Sequence, residues 1–421
     1  MTGFHAGGRK TMPCTLSDCV DVILLSCEII VVNQGFSMIS SKVAATVANC
    51  FKGERLPGTF SFRRFPTIIW LAAAGVLVQA SQAPTHAADR VKVGLGIPPT
   101  VTEGSVQSIA DELGLFRDEN LDVEYVVLAG AGALLPQLLQ KNITIALPLP
   151  ETLLSAHKPG SEPLPVSYFY NAGPRNTLEL AVKADSDIRT IADLRGKSIG
   201  VGALTWGTIP QTRALLRAAG LTPGRDVQIV AVGVLGAGFH ALREDRVQAL
   251  NFNSTWIDLL EQEGVAARRL AYPPAFRQTV VNGYIAHRST LDDNPGLLER
   301  FGRAWTKALV VCDTNPRACV EAFWRKNPSA RPQGDAAAAL AANVRLLQRW
   351  IEPLLREPDG KARVPGAYDL SIIRTYVGEM HRYGEFASED IPLDAYFSNK
   401  LVPGFAKFDR DALVARARAL P

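Results

Sequence analysis

Apolar runs and amphipathic stretches alternate regularly along the chain from residue 91 onward. The run VKVGLG at 91–96 predicts a buried strand, and SVQSIADELGLFRDEN at 105–120 predicts an amphipathic helix ending near Gly114. The next strand is predicted at LDVEYVVL, residues 121–128, where polar and apolar positions alternate. Strands that alternate with helices favour parallel pairing through right-handed crossovers, so we expect an open α/β lobe.

A second unit repeats this order of elements. GKSIGVG at residues 196–202 predicts a strand, and GTIPQTRALLRAAGL at 207–221 predicts a helix closed by Gly220. Farther along, QALNFNS predicts a strand, and TWIDLLEQEG predicts a helix capped by Gly264. We therefore expect a second lobe with the same architecture as the first.

Together the two units predict an α/β protein with two lobes, each an open, mostly parallel sheet with helices on both faces. The chain would pass between the lobes near residues 175–185 and 275–285, forming a hinge and leaving a cleft. The last hundred or so residues are mostly helical by pattern and are broken by prolines. The predicted segments are lobe 1 at 89–180 plus 280–345, lobe 2 at 181–279, and a C-terminal helical extension on lobe 1 at 346–421.

The N-terminal region differs from the rest. Residues 1–60 hold four of the six cysteines and an apolar run, VILLSCEIIVV, that is short for a membrane span, so we expect a disordered leader or mis-started extension. Residues 61–88 combine two arginines, an apolar stretch and small residues, which predicts a signal peptide cleaved near Ala87. The mature chain would start near Ala88 or Asp89 and be exported to the periplasm.

Composition and charge exclude several classes of function. The net charge of +4 comes without a dense basic tract, which argues against a nucleic-acid partner. Cys14 and Cys19 lack a second pair and nearby histidines at ligand spacing, and the other histidines are scattered, so we expect no metal site and no cofactor. The stretch RGKS at 195–198 lacks the glycine that a phosphate loop needs at position 191.

Cys312 and Cys319 leave two readings open. On one continuous helix they would lie about 10 Å apart along the axis, too far for a disulfide. Asn315 and Pro316 should break that helix and can fold the two cysteines back together. A bridge and two buried free thiols both remain possible at this point.

Four segments support a family resemblance: ADELGLFRDENLDVEYVVLAGAGALLPQLLQ, TIADLRGKSIGVGALTWGT, RALLRAAGLTPGRDVQIVAV and FHALREDRVQALNFNSTWIDLLEQEG. Together with their order over roughly residues 91–330, they resemble the periplasmic substrate-binding proteins of ABC importers in the nitrate, sulfonate and taurine group. That group also includes binders of thiamine-pyrimidine precursors. The resemblance implies a type II-like binding-protein fold, a small-molecule ligand, a permease and ATPase complex as partner, and a monomer. One departure is Arg246 and Gln248, which stand where the family commonly has glycine and an acidic residue.

Candidate ligand contacts follow from the strand-to-helix turns. Helix N-termini leave backbone N–H groups unpaired, so ligands, anions included, can bind beyond the carboxyl ends of strands. Within the turn at 205–208, the hydroxyls can donate hydrogen bonds, Gly207 allows a close backbone approach, and Trp206 can cover an apolar part of a ligand. The predicted ligand-binding residues are Thr102, Ser105, Glu151, Asn171, Thr205, Trp206, Gly207, Thr208, Asn253, Thr255 and Trp256.

Few fixed charges occur in these turns, so we expect a small organic ligand such as a sulfonate or a neutral heterocycle. Glu103 and Glu151 would either receive a ligand amine or simply favour their helix N-termini. Binding without chemistry is the expected function. The alternatives are an enzyme of the pyrimidine-precursor type, whose cysteine-rich stretch has no counterpart in the mature part, and a sensory binding protein without a transporter.

Overall fold

Two five-stranded sheets organise the part of the chain that this computed structural model describes, namely residues 87–128, 130–280 and 282–421. The predicted extension at 1–60 and nearly all of the predicted signal peptide at 61–88 lie outside the described residues. So do the first four cysteines. The first strand begins at Asp89, at the predicted start of the mature chain.

The first sheet has the order β2-β1-β3-β10-β4. Strand β1 pairs in parallel with β2 and β3, whereas β10 pairs antiparallel with β3 and β4. The strands are β1 Asp89–Leu95, β2 Leu121–Val127, β3 Ile145–Ala146, β4 Val166–Asn171 and β10 Gly283–His287.

The second sheet has the order β7-β6-β8-β5-β9. Strand β6 pairs in parallel with β7 and β8, and β5 pairs antiparallel with β8 and β9. The strands are β5 Leu178–Lys183, β6 Lys197–Val201, β7 Val227–Ala231, β8 Ala249–Asn253 and β9 Ala267–Arg269.

The antiparallel strand of each sheet is the one that enters from the other half. The chain crosses from β4 to β5 between Asn171 and Leu178, and it returns from β9 to β10 between Arg269 and Gly283. Both crossings fall close to the predicted positions. The predicted fold class, two α/β lobes with mostly parallel sheets, is confirmed.

Helices surround both sheets. In the first two thirds of the chain they are α1 Glu103–Glu112, α2 Ala131–Leu139, α3 Pro150–Leu154, α4 Thr208–Ala218, α5 Gly236–Arg243, α6 Ser254–Gln262 and α7 Pro274–Arg277. The remaining helices are α8 Arg288–Asp293, α9 Pro295–Thr314, α10 Pro316–Lys326, α11 Ala336–Leu355, α12 Leu370–Arg382, α13 Leu393–Tyr396, α14 Val402–Phe405 and α15 Arg410–Arg418. The predicted ends of α4 and α6 are confirmed, because Gly220 and Gly264 follow them with φ of 73° and 86°. None of the helices in the described ranges is long and apolar enough to cross a bilayer.

The C-terminal extension reaches both halves of the molecule rather than the first lobe alone. Helix α11 packs against α9 and α10 of the first half and also against α6 of the second. Helix α12 packs against α4, and just beyond it the buried carboxylate of Glu385 accepts hydrogen bonds from Arg213 and Arg217 of α4. Tyr376 of α12 belongs to a hydrophobic cluster that also contains Ile199 of β6 and Val166 of β4. The extension therefore packs against elements of both halves where the two sheets meet.

Cys312 and Cys319 form a disulfide. Helix α9 ends at Thr314, and α10 starts at Pro316 in a new direction, which brings the two Cα atoms to 5.6 Å from each other. The side chain of Asn315 accepts a hydrogen bond from Ala318 N at 3.1 Å and so caps the second helix. The Asn-Pro break therefore decides between the two readings that the sequence leaves open.

Reducing this disulfide is expected to lower the free energy of unfolding by about 2 kcal/mol, because a bridge over so short a loop removes only modest chain entropy from the unfolded state. Denaturant unfolding of oxidised protein and of protein refolded in reductant would measure the difference. Two reactive thiols from Cys312 and Cys319 in denatured, unreduced protein would contradict the bridge.

Candidate functional site

A cavity with a volume of about 130 Å³ lies where strand ends from both sheets face each other. The first half contributes the loop after β1, the start of α1 and the residues after β3, whereas the second contributes the residues after β6 and β8. Ligands of open α/β sheets bind at such carboxyl ends, so the cavity lies where the topology predicts a site.

Six of the predicted ligand contacts line this cavity. They come from three separate strand-to-helix turns, and they are Thr102, Trp206, Thr208, Asn253, Thr255 and Trp256. The structure thus brings together residues that are up to 154 positions apart in the numbering of the chain.

The other five predicted residues lie outside the cavity lining. Ser105 is buried, and its hydroxyl donates to Val101 O, which precedes the start of α1. Asn171 is used in structure, since its Nδ2 donates to Ala367 O at 3.0 Å and its Oδ1 accepts from Gly173 N at 3.1 Å.

Three further residues, Thr205, Gly207 and Glu151, contact other parts of the protein and not the cavity. The exposed Thr205 lies against the start of α2, where a Cβ on Gly132 would be 3.3 Å from the Cβ of Thr205. Gly207 closely approaches residues at the start of α3 rather than open space for a ligand. The side chain of Glu151 points into the protein, as described below.

The aromatic wall of the cavity consists of two tryptophans. The ring centroids of Trp206 and Trp256 are 6.1 Å apart and their planes are inclined by 64°. Trp256 also packs edge-on against Phe252 at 5.4 Å within the core of the second half, which fixes its position. Trp206 is half-buried and lines the cavity, so its ring is free to cover an apolar ligand on one side.

Amides at two of the helix N-termini are already used by the protein. Asn253 Oδ1 accepts hydrogen bonds from Thr255 N at 3.1 Å and from Thr255 Oγ1 at 2.9 Å. At α1, Gly104 N donates to Thr100 O at 2.8 Å. These hydrogen bonds stabilise α1 and α6 themselves, so fewer backbone donors remain at these two termini for an anion.

Two buried polar groups in the lining lack a partner among the described residues. These are Nε2 of Gln107, whose residue is 4% exposed, and Oγ1 of Thr208. A buried polar atom without a partner is costly, which makes both atoms candidates for ligand contacts. Sequence reasoning missed Gln107 and Asn282, another lining residue. Gln107 could have been found, because it lies four residues after Glu103 and hence on the same helix face.

Glu103 is the one formally charged residue in the lining as far as the described chain goes. Its Oε2 accepts a hydrogen bond from Thr102 Oγ1 at 2.5 Å. Thr102 and Thr100 are in turn linked through their hydroxyls at 2.9 Å. The two threonines therefore orient the carboxylate at the start of α1.

The Glu151 carboxyl is buried between the halves, and its residue is 1% exposed. Tyr376 Oη donates to its Oε1 at 2.5 Å, and Gln211 Nε2 donates to Tyr376 Oη at 3.1 Å. Burial raises the pKa of Glu151 from the ordinary value of 4.5 to about 7, although the Tyr376 hydrogen bond opposes this shift. The group belongs to a contact between α3, α4 and α12 and not to the cavity.

The unusual residues Arg246 and Gln248 are placed far from the cavity lining. They precede β8, at the end of the strand opposite to the cavity. Gln248 Oε1 accepts from Ser198 N at 3.0 Å, and its Nε2 donates to Asp245 O at 2.8 Å, which closes the turn. The fold thus accommodates this departure.

Comparison with known sequences places the chain in a family. The sequence profile described as NMT1/THI5 like matches residues 106–319, about half of the chain. The chain belongs to the NMT1/THI5-like family. This match confirms the resemblance stated above, and in this NMT1/THI5-like chain the matched range includes all the strands that form the cavity except β1. No curated protein sequence matches the chain.

Solved structures with the same fold include periplasmic binding proteins. The alkanesulfonate-binding protein SsuA of Xanthomonas axonopodis pv. citri, bound to MOPS, superposes with a TM-score of 0.54 at 16% identity, covering 73% of this chain and 98% of that one. The nitrate-binding protein NrtA of Synechocystis PCC 6803 gives 0.55 at 13% identity, covering 79% and 99%. The aliphatic sulphonate-binding protein SsuA of Escherichia coli gives 0.52 at 15% identity, covering 73% and 91%. At these identities the likeness shows the fold.

Proposed function

We propose that the protein is the solute-binding component of an ABC importer and captures a small organic solute in the cavity. The observation that carries the proposal is the cavity itself, because its walls come from the strand ends of both halves. Closing two halves around a solute removes it from water and converts occupancy into a shape that a membrane partner can recognise. The partner would be a permease with its ATPase, the exported protein would act in the periplasm as a monomer, and no reaction would follow.

The size of the cavity limits the solute. A water molecule needs roughly 10–15 Å³ of such volume, so a cavity of about 130 Å³ has room for a solute of roughly ten non-hydrogen atoms. A heterocycle with a short side chain fits this space. Nitrate alone would leave most of it unfilled, and the two tryptophans would then serve no purpose in binding.

Replacing Trp206 with alanine is expected to weaken solute binding about tenfold without unfolding the protein, because one face of the ligand loses its aromatic cover. A thermal-shift screen of sulfonates, taurine, nitrate, pyrimidines and aromatic acids would first find a ligand, since binding to the folded form alone raises the melting temperature. Calorimetry with that ligand would then compare the variant with the wild type.

Tyr383→Ala is the matched control, because Tyr383 is a half-buried aromatic residue that packs against Phe276 and does not line the cavity. It should leave affinity unchanged. Equal affinities of Trp206→Ala and wild type would contradict the assignment of the cavity as the binding site, as would a failure of Trp206→Ala to fold.

A further inference from the structure

A carboxylate without an ionic partner faces the cavity. Glu103 lines it, and among the described residues no Lys, Arg or His side chain forms an ion pair with this carboxylate. Its Oε2 is held by the Thr102 hydroxyl, whereas no donor in the described chain reaches Oε1. In contrast, Glu112 at the other end of the same helix pairs with Arg325 at 2.8 Å. The Glu103 carboxylate therefore retains an acceptor for a group that enters the cavity.

The charge of the lining opposes anions. Apart from Glu103, the described lining residues are neutral, so a bound sulfonate or carboxylate would have no arginine or lysine to balance it. At the starts of α1 and α6, Gly104 N donates to Thr100 O and Thr255 N donates to Asn253 Oδ1, which leaves fewer backbone donors to hold an anion there. Repulsion between like charges grows as water is excluded, so closure would strengthen this discrimination.

The two tryptophans favour a positive charge. A cation above an indole face is attracted by the ring quadrupole, and tryptophan is the best aromatic side chain for this interaction. Trp206 and Trp256 present differently inclined rings to one cavity. The same surface also packs well against a planar organic body, so one ligand can satisfy both the rings and the carboxylate.

Gln107 Nε2 and Thr208 Oγ1 lack a partner among the described residues and are further polar groups that a ligand can contact. Both can donate a hydrogen bond, so they suit an acceptor atom on the ligand, such as a ring nitrogen or a carbonyl oxygen. Building on the proposed solute-binding function, we infer that the cavity selects a compact organic cation, a protonated amine or a protonated nitrogen heterocycle. Its positive group faces Glu103, its ring lies against Trp206 and Trp256, and its acceptor meets Gln107 or Thr208.

Probes with the same aromatic body, similar size and different charge test this inference. One set is 2-phenylethylamine, 2-phenylethanol and phenylacetate, and a second set carries the matching amine, alcohol and carboxylate on an imidazole body. Thermal shift and calorimetry on the purified protein should show the amines binding at least about tenfold more tightly than the carboxylates. Tighter binding of the carboxylates would overturn the inference and leave the proposed solute binding intact. No rise in melting temperature with either amine would also overturn it, whereas the proposed solute binding fails only if the wider screen finds no ligand.

Glu103→Gln removes the charge and keeps the size of the side chain. Amines should lose about tenfold or more in affinity, because a hydrogen-bonded charge contact is replaced by a neutral one. Glu112→Gln is the matched control on α1, and it should bind amines as the wild type does. Glu103→Asp should retain the preference for amines over carboxylates, which separates the role of charge from that of helix stability. Unchanged amine affinity in Glu103→Gln would overturn the inference.

Discussion

Replacing Gly207 with alanine is expected to weaken solute binding by up to roughly 150-fold, because overpacking costs about 1–3 kcal/mol and this clash opposes the arrangement in which the two halves close on the solute. A Cβ at this position would lie 2.8 Å from the Cβ of Leu149 and 2.9 Å from Oγ1 of Thr152. The Leu149 atom is next to the backbone and cannot swing away. The φ of Gly207 is −61°, so alanine itself adds no backbone strain. The added methyl group would therefore push the starts of α3 and α4 apart.

That separation would act on the cavity directly, since Leu149 and Thr208 both line it. Calorimetry with a ligand from the screen measures the loss. Gly296→Ala is the matched control, because it also changes a glycine at the start of a helix but would place its Cβ in open space. Wild-type affinity in Gly207→Ala would show that the contact between α3 and α4 is not part of the bound state.

The position of this cavity was predictable because it follows from connectivity. Once strands and helices alternate, the loops after parallel strands gather at one edge of each sheet. Trp206 and Trp256 each follow a predicted strand, so they were expected at that edge and they line the cavity there. The ends of α4 and α6 were equally predictable, since a glycine in the left-handed conformation after a helix is a local sequence signal.

Which residues pack against each other across two elements was not predictable in the same way. The sequence indicates at Gly207 that space is needed, but it does not say which group fills that space. We expected a ligand there, whereas the structure places Leu149 and Thr152 against the glycine. Periodicity describes one element at a time, and this contact joins two elements that are far apart in the chain.

The contacts of the C-terminal extension were not predictable for the same reason, because they join elements that are far apart in the chain. Its helices have ordinary amphipathic patterns, which identify a buried face but not the surface that covers it. The contact of Glu385 with Arg213 and Arg217 joins positions about 170 residues apart, and no local pattern marks it. Assigning the extension to one lobe therefore missed its contact with the other.

Two glutamates with the same sequence context have different surroundings. Glu103 and Glu151 each begin a helix after a strand, and the sequence treats them alike. Glu103 faces the cavity and is held by Thr102, whereas Glu151 faces Tyr376 of the C-terminal extension. The packing of α12 makes the difference: it buries the carboxyl of Glu151, whereas the carboxylate of Glu103 stays available to a ligand.

Replacing Glu151 with glutamine is expected to flatten the pH dependence of stability between pH 4.5 and 7. The pKa of Glu151 is raised to about 7 by burial, from an ordinary value of 4.5. The folded protein therefore holds a proton that the unfolded chain has released in this range, and wild-type stability falls as the pH rises through it. The full loss would be about 3 kcal/mol at 1.36 kcal/mol per pKa unit. Glutamine stays neutral and would not show it.

Denaturant unfolding at pH 5 and pH 8 measures this difference. The free energy of unfolding of the wild type should fall between the two values by about 2.5 kcal/mol more than that of Glu151→Gln. Glu162→Gln is the control, because Glu162 is exposed and its replacement should follow the wild type. Parallel profiles of Glu151→Gln and the wild type would mean that the carboxyl between α3 and α12 is charged in the folded protein, and that water or a partner group stabilises it there.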